Sequence, residues 1–483
     1  MADLEVKEEA EWEVTRDYEP KEVVSRSLSA YFYGACFWKP MVYPRSVDYS
    51  LRKRLMHKPP PGEHALLHGL RGFVWRWCTQ NLKPLTELKT VEEWLDGSNY
   101  TSRQKEKFRD IWRRGPKDLA KCVVKCFVKD EEYAEPKAPR MIASREDDAK
   151  VVLGPVFKSI EEVLFRLPYF VKHLTPSERV KLLDERFGRR RVFVTDYSSF
   201  ETHFTRKMMY NCEMVMYRYM LRNFPEAYEL VKVITRKNQL TSKLFHGECE
   251  AVRMSGEMNT SLGNSFSNLM FMAYACQCNG VELLNIVVEG DDGLVELSKP
   301  IPKEFFTRLG LEIKMDEARA YDASFCGCVY NPDTLTNFGH PLDAPLKFGW
   351  SPTRALAYGD KKIHELTMSK VYSMCAEFPG VPLLWKLCQL CVTKLKAVRF
   401  CRALKYRDRY WKAEGLSDKW REPQYGDRLY FQELTGISVA DQLDIEEDFT
   451  NSFPVMRSER LLTFLPDLAL EAWEEIDSTG CGS

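Results

Sequence analysis

Two short apolar runs, Ile286-Val287-Val288 and Leu294-Val295, enclose Glu289-Gly290-Asp291-Asp292-Gly293. β-Branched residues on either side of a Gly/Asp cluster predict a tight hairpin with carboxylates at its tip. Acids held there on a rigid turn must face water, a cation or both, because unpaired charge is not buried. A second strand-prone run, Val192-Phe193-Val194-Thr195, ends in Asp196 and leads into a helical pattern from about Thr202 to Leu221. Between the two runs, Met258, Leu262, Phe266, Leu269 and Ala273 recur at intervals of three and four. That spacing predicts one face of a long helix, preceded by a loop holding Ser255-Gly256. Strand, loop-helix and hairpin therefore follow one another within about a hundred residues.

Two β elements that each end in an aspartate suit phosphoryl transfer. That reaction asks little covalent work of the protein, but it needs cations that offset charge on the attacking and leaving oxygens. Magnesium takes hard oxygen ligands, usually one or two carboxylates plus substrate phosphates. A Gly-Asp-Asp triplet alone is also the ordinary polar turn of a hairpin. Its weight comes from the company of Asp196 and the Ser-Gly loop in this order.

Charge is uneven along the chain. The 483 residues carry 70 basic and 70 acidic side chains. Residues 1–20 have a net charge of −6 and residues 437–483 one of −9, which leaves +15 on the body between them. A basic body suits a polyanionic ligand better than the zero total implies. Aromatic and basic residues interleave at Tyr31 to Trp38, Arg71 to Trp77 and Lys105 to Arg114, a pattern that serves base stacking and phosphate contact or, equally, amphipathic helices. Beyond about residue 345 the pattern is helical, with bases dense between Lys394 and Arg428. No run of eighteen apolar residues occurs, so no membrane span is expected. Fifteen cysteines behind an acidic start that does not read as a secretion signal are expected to be reduced thiols. Cys388 and Cys391, like Cys122 and Cys126, sit in apolar surroundings and are read as buried thiols, with no structural zinc expected.

The motifs together resemble those of RNA-dependent RNA polymerases of positive-strand RNA viruses. Val194-Thr195-Asp196-Tyr197-Ser198-Ser199-Phe200-Glu201 is similar to motif A. Ser255-Gly256-Glu257-Met258-Asn259-Thr260-Ser261-Leu262-Gly263-Asn264 resembles motif B, especially as found in the tombusvirus-like group. Glu289 to Gly293 resembles motif C. Upstream, Phe127 to Glu131 with Lys137 to Ile142 is similar to motif F, and downstream Leu309 to Lys314 and Phe325-Cys326-Gly327 are similar to motifs D and E.

The resemblance implies an α+β right-hand fold of fingers, palm and thumb, with an antiparallel palm sheet packed on helices. Its expected boundaries are an acidic arm at 1–20, mainly fingers at 21–190, palm with an inserted fingers segment at 191–330, and a mainly helical thumb with an acidic end at 331–483. It implies that Asp196 and Asp291 hold two magnesium ions, for which manganese can substitute, with Asp292 in support. Ser255, Gly256 and Thr260 would form a flexible loop near template and nucleotide. Asn264 and Glu201 would read the ribose, Lys129 and Arg140 would hold the triphosphate, and Lys314 would protonate pyrophosphate. Expected partners are template and nascent RNA, ribonucleoside triphosphates, and other viral replication proteins that attach the enzyme to host cytoplasmic membranes. One departure is Glu201, where the tombusvirus-like pattern usually has Asp; the carboxylate is kept with a longer reach. The alternatives are a reverse transcriptase, which would want a bulky aromatic at position 201, and an inactive RNA-binding subunit, which would have no reason to keep Asp196, Asp291, Asn264 and Arg140.

Overall fold

The computed structural model describes residues 26–27, 47, 50–51, 55–129, 140–346, 348, 350–351, 360–394, 420–453 and 456–464. Helix α1 (His64–Asn81) precedes a first sheet that begins with β1 (Val124–Val128) and β2 (Met141–Arg145). Helices α2 (Asp147–Leu164) and α3 (Pro176–Phe187) lead to β3 (Arg191–Tyr197). Two short helices, α4 (Arg206–Asn211) and α5 (Glu213–Met220), precede β4 (Asn238–Thr241) and β5 (His246–Cys249). The chain continues through α6 (Thr260–Asn279), the hairpin β6 (Leu283–Glu289) and β7 (Asp292–Leu297), and β8 (Ile313–Arg319). Four longer helices follow: α7 (Asp360–Glu377), α8 (Leu384–Lys394), α9 (Tyr425–Thr435) and α10 (Val439–Asn451).

The first sheet has the order β2-β1-β4-β5, with β1 and β4 parallel and the other neighbours antiparallel. The second sheet has the order β6-β7-β3-β8 and is antiparallel throughout. Side chains alternate between the faces of a strand, and here the alternation separates two cores. Val192, Val287 and Leu294 enter one core, which also takes α3 and side chains from α7 to α10. Tyr197, Ile286, Val288 and Val295 enter the other, with α1, α2, α4, α5 and α6. Burial on both faces explains the near-continuous apolar runs of β6 and β7, since each face has its own helical cover.

Two details differ from the periodicity. The helix expected from Thr202 to Leu221 is broken: Phe200–His203 is a 3₁₀ turn, and α4 starts only after Thr205, whose hydroxyl accepts from the Met208 N–H at 3.3 Å. It breaks again at Cys212, whose backbone is not helical (φ −125°, ψ −94°). The helix expected to show one apolar face is instead enclosed: 14 of the 20 residues of α6 are buried, and Met258 lies before its start. Small residues such as Gly263, Ser265 and Ser267 let neighbours close over the polar side, so period 3.6 does not report which way α6 faces.

Cys388 and Cys391 are buried in α8, and Cys122 and Cys126 are buried as well. Among the described residues no helix is long and apolar enough to cross a membrane. Arg71 to Trp77 lies in α1; Tyr31 to Trp38, and residues 395–419 of the basic stretch, lie outside the described residues.

Candidate active site

The central strand β3 places Asp196. Its register runs Thr195↔Gly293 on one side and Asp196↔Lys314 on the other. Thr195 and Tyr197 point into one core, so Asp196 emerges on the opposite face, exposed. Lys314, its cross-strand partner, lies on that same face and is exposed. Close pairing of β3 with β7 requires glycine at 293, where a Cβ would stand 2.3 Å from the Thr195 hydroxyl oxygen.

The hairpin tip supplies the other two acids. Gly290 adopts φ +64°, a conformation that side chains other than glycine rarely take, and this lets Glu289 pair with Asp292 across a two-residue turn. Asp291 and Asp292 are half-buried. Burial, with the negative charges of Asp292, Glu201 and Asp196 beside it, pushes the Asp291 carboxyl up to about 6. Burial and Asp196 also raise Asp292, against opposing effects from the Cys326 thiol hydrogen bond and from Arg179. The three aspartates are not gathered round one point: among the described residues no group of three or more His, Cys, Asp or Glu could hold an ion unaided. Close acids whose charge is raised in cost by one another nevertheless form a donor set that fits a hard cation whose remaining ligands are phosphate oxygens.

Helix α6 fixes the tip. The Asn268 amide donates to the carbonyls of Gly290 (3.2 Å), Asp291 (3.0 Å) and Asp292 (3.2 Å), and its oxygen accepts from the Tyr197 hydroxyl at 3.2 Å. The Ser265 hydroxyl accepts from the Gly290 N–H at 2.8 Å. Glu289, at the start of the turn, pairs with Arg179 (2.9 Å) and Lys172 (3.7 Å). These residues escaped the sequence reading. The visible signal was an asparagine inside the apolar run Phe266 to Met270, which a buried helix would carry only with partners.

The loop before α6 is tied to β2 of the first sheet. The Ser255 hydroxyl accepts from the Ala143 N–H and donates to the Met141 carbonyl, both at 3.1 Å. Gly256 N–H donates to the Ala143 carbonyl at 2.8 Å, and a Cβ at 256 would stand 3.0 Å from that oxygen. The Thr260 hydroxyl donates to the carbonyls of Met254 (2.8 Å) and Glu257 (3.0 Å), and Glu257 forms a buried ion pair with Arg145 of β2. Residues expected to form a flexible loop are thus held at both ends in this structure. Beneath them, Arg253 is buried against Glu213 at 2.6 Å and over the Phe204 ring, and its N–H donates to the Glu201 carbonyl at 3.3 Å. Glu201 lies in the 3₁₀ turn after Ser199, which sits at φ +53°. Asn264 is buried, and its side-chain oxygen has no hydrogen-bond partner among the described residues.

Lys129 and Arg140 stand opposite each other where the β1–β2 ladder ends, joined by Lys129 N–H to Arg140 C=O at 2.8 Å. Residues 130–139, the rest of the motif F segment, lie outside the described residues.

The model of a family described as viral RNA dependent RNA polymerase matches residues 118–322. That span contains all eight strands of the two four-stranded sheets, the carboxylate cluster and the loop before α6. The enzyme is an RNA-directed RNA polymerase. As a nucleotidyltransferase of this kind it takes an RNA template and nucleoside triphosphates, and the reverse transcriptase and inactive-subunit alternatives give way to it. No curated protein matches the chain. The polymerase is a mixed α and β protein with antiparallel pairing at its carboxylates, as the resemblance implied.

Proposed function

We propose that the polymerase adds ribonucleotides by two-metal-ion phosphoryl transfer, with Asp196 and Asp291 holding magnesium and Asp292 in support. The observation that carries this reading is the set of acids at the ends of β3 and the β6–β7 turn, where burial first, and then the charges of Asp292, Glu201 and Asp196, raise Asp291 to about 6. Magnesium, or manganese in its place, would supply charge neutralisation at the attacking and leaving oxygens. Lys129 and Arg140 act as fixed cations for the triphosphate. Ser255, Gly256 and Thr260 shape the floor beside template and nucleotide, and Asn264 and Glu201 hydrogen-bond the ribose. Lys314, on the same face as Asp196, donates a proton to the pyrophosphate oxygen that leaves.

In this reading, residues 21–190 are mainly fingers, 191–330 palm with an inserted fingers segment, and 331–483 a mainly helical thumb, with an acidic arm at 1–20. The likeness of the motif B segment to that of the tombusvirus-like group supports assigning the enzyme to that group. Other viral replication proteins hold it at host cytoplasmic membranes.

The metal assignment has a readout that does not need turnover. Asp291 binds its proton more tightly folded, at about 6, than at the ordinary value of 3.8. In the cation-free protein its ionisation therefore removes stability as pH rises from 3.8 through 6. Magnesium opposes that loss and competes with the proton. Added magnesium is expected to raise Tm more at about pH 7.5 than at about pH 5, and the increment should shrink in Asp291→Asn. An increment equal at both pH values, or equal in the variant, would place the cation elsewhere.

Sugar selection rests on Asn264 and Glu201. The partnerless Asn264 oxygen is a group that a 2′-hydroxyl can satisfy, and leaving it unpaired costs about 1–3 kcal/mol. Asn264→Ala is expected to narrow the ribose-over-deoxyribose preference in kcat/KM by about tenfold, chiefly through slower ribonucleotide use. Glu201→Asp should be tolerated. An unaltered ratio in Asn264→Ala would assign the sugar to other residues.

A further inference from the structure

We propose a second RNA contact, a base-stacking and phosphate site between α1 and the α4–α5 pair, away from the carboxylates. Its centre is a cavity of about 430 Å³. Trp75 of α1 and Tyr210 of α4 stand at it, 46% and 39% exposed. Arg71 of α1 and Arg218 of α5 also line it, and no carboxylate does. Met214 and Val215 belong to its lining as well and are buried.

The rings are held in place. Trp75 stands perpendicular to Tyr219, with centroids 5.7 Å apart, and Arg222 lies 5.5 Å from the Tyr219 ring. The Tyr210 hydroxyl accepts from Thr235 at 3.2 Å. Nearby, Lys232 lies 5.1 Å from the Tyr228 ring and pairs with Glu229. Among the described residues neither Arg71 nor Arg218 forms an ion pair. Two guanidinium groups without carboxylates, beside two exposed aromatic rings, match the two repeating groups of a single strand: base and phosphate. The interleaving of Arg71 and Trp75 along one helix, visible in the sequence, is what puts both chemistries at one mouth.

This site lies apart from the chemistry. Helices α1, α4 and α5 pack into the core on the sheet face opposite the one from which Asp196 emerges. The RNA it takes is single-stranded, template or product outside the duplex. It rests on the polymerase activity for its ligand, and not on the metal assignment.

The test uses the full chain and a single-stranded oligoribonucleotide of about six nucleotides carrying 4-thiouridine, a length within the span of one stacking site. After ultraviolet crosslinking, peptides are mapped by mass spectrometry. Crosslinks are expected in peptides holding Trp75 and Tyr210. Trp75→Ala, and separately Arg71→Gln with Arg218→Gln, should cut their yield by about tenfold, while Trp75→Phe retains most of it. Nucleotide addition on a pre-annealed primer–template should stay within about twofold, since exposed surface changes leave the fold intact. Asp291→Asn should still crosslink, which separates failure here from failure of the metal reading. Crosslinks confined to other peptides, or yields unmoved by the variants, would overturn the proposal. So would displacement of the crosslink by a phosphopeptide but not by unlabelled RNA, which would mark a protein-docking site.

Discussion

Replacing Asp196 or Asp291 with asparagine is expected to lower nucleotide addition by about a thousandfold or more while RNA binding stays within a few-fold. The two acids end neighbouring elements of one sheet, and burial together with nearby like charges raises the Asp291 carboxyl to about 6. Asparagine keeps the shape and removes the charge that a hard cation requires. Metal-centred charge stabilisation contributes several kcal/mol to such reactions, and each 1.36 kcal/mol is about tenfold in rate. RNA affinity depends instead on many phosphate contacts spread over the basic body, so one carboxylate matters little to it. Single-turnover addition on a primed RNA template, beside filter binding of the same RNA, checks both halves. Near wild-type addition by either variant would remove that residue from the metal site.

Asn268→Leu should be the next most damaging change, although residue 268 touches no substrate in this account. Its amide holds the carbonyls of Gly290, Asp291 and Asp292, and its oxygen takes the Tyr197 hydroxyl from the strand that carries Asp196. One buried side chain thus sets the distance between the strand that carries Asp196 and the turn that carries Asp291. Leucine keeps the branched shape and the number of heavy atoms, so no cavity opens, but the hydrogen bonds that the amide's two N–H groups share among three carbonyls, and the one from Tyr197, are lost while their partners remain buried. Each such loss costs about 1–3 kcal/mol, which should appear as a lowered Tm. A displacement of about 1 Å at a reacting centre can cost about a hundredfold in rate. The expected signature is kcat down by about that factor at temperatures where the variant is folded, with little change in nucleotide KM. Wild-type kcat with only a lowered Tm would make Asn268 purely structural.

The sequence made the carboxylate hairpin and the strand ending in Asp196 legible because their signals are local. β-Branched runs, a positive-φ glycine and acids in a turn announce themselves within ten residues. The Lys314 assignment came only from the resemblance, yet the ladder puts that residue opposite Asp196. What stayed hidden depends on contacts distant in the chain. The parallel pairing of β1 with β4 joins Val124 to Leu240, and no periodicity reports it. The break at Cys212, where the backbone leaves the helical region with no side-chain cap, is not announced by helix propensity, which buried packing on both sides overrides. The ties from Ser255 to Met141 and Ala143, and from Asn268 to the hairpin, are hydrogen bonds between segments whose meeting only the fold determines. Asn264 was legible as a motif position, but its partnerless oxygen was visible only once its surroundings were built.

Cation-dependent ribonucleotide addition is tested by primer extension on an RNA template, with matched ribo- and deoxyribonucleoside triphosphates and with magnesium supplied or chelated. Templated ribonucleotide addition is expected to require the cation, to disfavour deoxyribonucleotides, and to disappear in Asp291→Asn. Extension that persists in that variant, or that proceeds equally well with the cation chelated, would contradict that expectation.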